Sequence, residues 1–122
     1  MTTPNLFLLY VDDVEASVAF YKDLLGREPA VFFPTFSTFD LGNGVSLGLW
    51  ARRAVEPKPD GTDAWTEVAI MAEGDAAIEA LHTDWKARGL TFAQELTAMT
   101  FGQTFVVLDP DGHRIRVCPT DG

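Results

Sequence analysis

Hydrophobic and polar positions along this chain follow two rhythms, and their order repeats. Asn5 to Val11 (NLFLLYV) is an apolar run closed by two aspartates, which predicts a strand. From there the period lengthens. Val14, Val18, Tyr21 and Leu25 recur at helical spacing, Asp13 stands where an N-cap belongs, and Gly26 supplies the stop. Three strands are predicted next, at about 30–33, 35–41 and 45–50, the last pair joined through Gly42-Asn43-Gly44.

The second half runs through the same series. Residues 65–71 read as a strand, and Asp75 is placed to cap a helix carrying Ile78, Leu81 and Trp85, with Gly89 at its end. Strands follow near 90–94, 100–108 and 113–118, the last after the turn-forming Asp109-Pro110-Asp111-Gly112. Between the halves lies ARRAVEPKPDGTDA, residues 51–64, with the prolines, glycine and mixed charges of a linker. The expectation is an α+β protein: one domain over 1–122, built of βαβββ modules at 1–50 and 65–122. A helix covers one face of each sheet, and the two bare faces can enclose a cup-shaped cleft.

Composition narrows the function. The 122 residues carry a formal net charge of −9, which disfavours nucleic acid and would steer organic cations toward the surface. One cysteine, Cys118, allows no internal disulfide, and the cytoplasm is the expected compartment. The opening MTTPNLFLLYVDD has neither the basic leader nor the long apolar core of a signal peptide, and no stretch reaches membrane-spanning length.

The runs LYVDDVEASVAFYKDLLGREP, EVAI and FVVLDPDGHRIRV together resemble the vicinal oxygen chelate superfamily. That group includes glyoxalase I, extradiol dioxygenases, fosfomycin resistance enzymes and bleomycin resistance proteins. The resemblance implies paired βαβββ modules (the glyoxalase/bleomycin resistance fold), assembled as a homodimer with clefts shared between chains. It also implies four inward strand positions that hold a metal in the enzymes. Here those positions fall on Leu6, Gly48, Glu67 and Arg116. Leucine and glycine carry no donor, and a guanidinium repels a cation. Of the two histidines, His82 is predicted on a helix and His113 on the helix-facing side of its strand. The expectation is therefore no metal, no cofactor and no catalytic residue, as in the metal-free bleomycin resistance branch.

Alternation sorts the remaining strand residues. Phe7, Leu9 and Val11, then Val45, Leu47 and Leu49, then Thr66, Val68 and Ile70 are expected beneath the helices. The cleft side receives Leu6, Leu8, Tyr10, Ser46, Gly48, Trp50, Trp65, Glu67, Ala69, Met71, Arg114 and Arg116. Of these, Tyr10, Gly48, Trp50, Trp65, Glu67, Met71, Arg114 and Arg116 are the expected ligand-binding residues. The aromatic rings offer flat surfaces, Gly48 leaves room, Met71 adapts, and Glu67 pairs with Arg116 across neighbouring strands. Phe32, Phe33, Phe36 and Phe39 are expected chiefly in the core. The reading is a metal-free protein that sequesters a small organic ligand, a planar or cationic antibiotic. The alternatives are an enzyme of the same fold, with shifted metal ligands or Glu67 as general base, and a ligand sensor or dimeric scaffold.

Overall fold

The structure, a computed structural model, describes residues 4–56 and 67–120. The chain divides into two compact units, Met1–Thr62 and Asp63–Gly122. Each contains a four-stranded mixed sheet and one α-helix, so the fold is α+β.

In the first unit the order is β1 (Leu6–Val11), α1 (Val14–Leu25), β2 (Val31–Phe33), β3 (Phe36–Gly42) and β4 (Val45–Ala51). The sheet order is β1-β4-β3-β2, with β1 and β4 parallel and the other pairs antiparallel. Helix α1 starts and stops where the sequence signals stand. The Asp13 side chain accepts a hydrogen bond from the Ala16 amide at 3.2 Å, and Gly26 closes the helix at φ 65° with its amide on the Lys22 carbonyl. One face of the helix buries Val14, Ser17, Val18 and Tyr21. Leu9, Val11, Phe39, Leu47 and Leu49 are among the buried sheet residues that complete this core.

Phe7 departs from the expected pattern and is 51% exposed. Strand β1 is at the sheet edge, so Phe7 has a paired neighbour on one side only. Phe39 belongs to the core as expected, but Phe32 and Phe33 do not, at 51% and 60% exposure. They lie on β2, a three-residue strand at the opposite edge. A short 3₁₀ turn, Arg52–Ala54, follows β4 within the segment expected as linker, and Arg52 Nε lies 3.0 Å from Asp12 Oδ1.

The second unit repeats the order: β5 (Glu67–Ala72), α2 (Asp75–Ala87), β6 (Thr91–Met99), β7 (Gly102–Leu108) and β8 (Arg114–Pro119). Its sheet runs β5-β8-β7-β6, with β5 and β8 parallel. Asp75 proves to be the first residue inside α2. The N-cap is Gly74, at φ 89°, and no side chain caps this end. The glycine is there for its backbone freedom, while the aspartate can act only through the helix dipole. Beneath α2, Ile78 and Trp85 pack with Phe105, Val107, Ile115 and Val117 in a buried core. The Trp85 and Phe105 rings meet edge to face at 5.5 Å.

Strand β6 is five residues longer at its C-terminal end than its apolar pattern suggests, reaching Met99. Register shifts at 92/94 and 94/97 break the alternation, and this is why the sequence conceals the strand's second half. The β7–β8 turn behaves as its composition indicates. Asp109 Oδ1 accepts from the amides of Asp111 and His113 at 2.9 and 2.8 Å, and Gly112 takes φ 84°. His113 is buried, 8% exposed.

Candidate functional site

Parallel pairing of the first and last strands places the expected site residues side by side on the sheet face opposite each helix. In the first unit the register matches Tyr10 to Trp50 and Trp50 to Phe36. The three rings form a row across β1, β4 and β3. Tyr10 and Trp50 meet edge to face at 6.4 Å, and Phe36 and Trp50 at 6.3 Å. Leu6 and Leu8 extend this apolar surface, at 46% and 38% exposure, beside Tyr10 at 37%. Phe36 was expected in the core and instead belongs to this row, because its register partner is Trp50.

Gly48 does not open the space expected of it. A Cβ there would lie 2.6 Å from Leu8 Cδ2, with Leu6 and Phe36 atoms at 3.4 and 3.6 Å. Leu8 is the register partner of Gly48, and its side chain fills the place the glycine leaves.

The second unit carries the polar part. Arg116 Nε donates to both carboxylate oxygens of Glu67 at 3.2 Å, and Nη2 lies 3.1 Å from Glu67 Oε2. The pair is partly shielded, with 20% of the arginine and 35% of the glutamate side chain exposed. It is diagonal, however. The residue directly opposite Glu67 is Arg114, and the one opposite Arg116 is Ala69. Arg116 is long enough to reach back by two residues, while Arg114 stays exposed near the turn.

Two partners of Arg116 were not foreseen. Nη1 donates to Gln94 Oε1 and to Thr104 Oγ1, both at 3.1 Å. The Thr104 hydroxyl in turn donates to the Val117 carbonyl at 2.7 Å, which locks its orientation. Gln94 also donates from Nε2 to Met99 Sδ at 3.6 Å. A continuous chain thus runs from Glu67 through Arg116 and Gln94 to Met99. Thr104 could have been found by alternation from Phe105. Gln94 and Met99 could not, because the register shifts of β6 fall between them and its start.

This network borders a groove of about 430 Å³ lined by Met71, Met99, Phe101, Arg116, Cys118 and the segment 119–120. Its volume falls in the range of small-molecule pockets. Met71 and Cys118 are register partners. Gly102, at φ 125°, lets the β6–β7 turn approach Pro119 closely; a Cβ there would sit 2.7 Å from Pro119 Cγ. Trp65 lies outside the described residues, as do the rest of 57–66.

The residues at the four positions that the resemblance assigns to a metal do not fit a divalent cation. Leu6 and Gly48 have no donor, and both oxygens of Glu67 face a guanidinium. Among the described residues, no three His, Cys, Asp or Glu side chains come together.

Two sheets of this strand order, each backed by a helix, are the architecture of a known class. Residues 3–117 match the Glyoxalase/Bleomycin resistance protein/Dioxygenase superfamily, and the chain belongs to it. The phenazine antibiotic resistance protein EhpR of Enterobacter agglomerans is 34% identical over 122 residues, covering 98% of this chain and 93% of that protein. A solution NMR structure of an Agrobacterium tumefaciens protein is 47% identical over the whole of both chains, with a TM-score of 0.87. Lactoylglutathione lyase from the same organism has the same fold, with a TM-score of 0.79 at 22% identity, covering 98% of this chain and 94% of that one.

Proposed function

We propose that this protein confers resistance by binding a planar polycyclic antibiotic of the phenazine class and releasing it unchanged. The observation that carries the reading is the 34% identity to a phenazine antibiotic resistance protein along nearly the whole chain. The open sheet faces support it. The first offers the Tyr10–Trp50–Phe36 row, and the second a groove walled by two thioethers and a phenyl ring. Such surfaces favour flat, polarisable rings. Sequestration needs only mass action, so no reacting group is required of the site.

Glu67 is poorly disposed to act as a base, since its two oxygens accept from Arg116. The working unit is a homodimer, which would cover apolar side chains such as Phe32 and Phe33 that one chain leaves exposed.

Titration with phenazine while following tryptophan fluorescence tests the reading. Saturable quenching is expected, and affinity should fall at least about fivefold in Trp50→Ala, since a stacked aromatic contributes about 1 kcal/mol beyond its area. Mass spectrometry after long incubation should recover intact phenazine. A product whose formation requires Glu67 would replace the binder with an enzyme.

A further inference from the structure

The hydrogen-bond chain at the second groove constrains the charge of what can bind there. A guanidinium carries five N–H donors and one positive charge. In Arg116 the charge is matched by Glu67, which contacts Nε and Nη2. Nη1 is engaged by Gln94 and Thr104. Among the described residues this leaves one Nη2 hydrogen to offer a ligand. The remaining wall, Met71, Met99, Phe101, Cys118, Pro119 and Thr120, is uncharged.

We infer that this groove selects electrically neutral heteroaromatic rings that turn one hydrogen-bond acceptor toward Arg116, and that Glu67 sets the selection by cancelling the charge of that arginine. The inference rests on the ligand-binding reading above and specifies its substrate class. An anionic ring would have to lose hydration to face an arginine already neutralised, with Glu67 repelling it from a few ångströms away. A cationic ring would face Arg116 at the groove wall, while Glu67, whose two oxygens accept from the guanidinium, is not among the lining residues. A ring nitrogen or carbonyl needs one donor and no net charge, which is what Arg116 retains. Gln94 acts as a positioning residue. Its carbonyl fixes the guanidinium and its amide holds the Met99 thioether, so the polar anchor and the apolar wall move together.

The test uses three probes of one ring system: phenazine, phenazine-1-carboxylate and N-methylphenazinium. Affinities are measured at neutral pH on the intact protein and on Glu67→Gln, which keeps the shape and an acceptor but unmasks the arginine charge. The wild type should bind phenazine at least tenfold more tightly than either charged probe. Glu67→Gln should bind the carboxylate about tenfold more tightly than the wild type does, with phenazine changed by less than threefold. Circular dichroism and thermal melting establish that the variant is folded. If it is not, Gln94→Ala serves instead, and should weaken phenazine binding while the neutral-over-anionic preference persists. A wild type that prefers the carboxylate, or a Glu67→Gln preference unchanged from wild type, overturns the inference while leaving the binding reading intact. Failure of all three probes to bind the wild type overturns the binding reading itself.

Discussion

Arg116 shows how a strand position acquires a role through its neighbours. On its own strand it is one of two arginines on one face; its partners come from β5, β6 and β7. Removing either member of the Glu67–Arg116 pair strands a partly shielded charge, whereas removing both strands none. A double-mutant cycle with alanine should therefore give a stability coupling of about 1 kcal/mol, at the top of the range for exposed pairs. Additive single effects would contradict the pairing. A second, more exposed cluster makes a different prediction. Glu95 accepts from Lys86 Nζ at 2.9 Å and is 3.0 Å from His82 Nε2. The lysine first, and then the histidine, hold its carboxyl below the usual glutamate range. Because the folded-state value is the lower one, the stabilisation is complete above the unfolded value. It is lost as pH falls through the folded one. An NMR titration should find Glu95 ionising below its usual range, and Lys86→Met should move it upward.

The two helices look alike in the sequence and are started differently. In α1 an aspartate side chain caps the first turn; in α2 a glycine with positive φ does so, and the aspartate has moved inside. Asp13→Ala should cost about 1 kcal/mol, the usual worth of a side-chain cap. Asp75→Ala should cost about 0.3–1 kcal/mol, and that loss should shrink with added salt, as a dipole interaction does. Chemical denaturation at low and high ionic strength separates the two. Equal, salt-independent losses would mean that Asp75 caps after all. Strands show the same limit of local reading. Strands β1, β4 and β8 were legible because each is a short apolar or alternating run bounded by charged or turn-forming residues. The end of β6 was hidden, since each register shift reverses the face that the next residues occupy.

At the scale of the whole molecule, the outstanding feature is how much large apolar surface one chain leaves open: Phe7, Phe32, Phe33, Met71 and Phe101 are each at least half exposed. Light scattering at micromolar concentration should give twice the chain mass, and Phe33→Glu should shift the population toward monomer. A wild type that remains monomeric would leave those residues for ligands or other partners. The repeated order of elements, the start and stop of α1, the DPDG turn and the aromatic character of the site were all determined by the sequence, because each depends on residues a few positions apart. Tertiary structure alone decided that Arg116 pairs diagonally, that Leu8 fills the space beside Gly48, that Phe36 joins Trp50 and that Gln94 connects the arginine to Met99. These contacts depend on strand register and side-chain reach between segments far apart in the chain, and no local pattern encodes either.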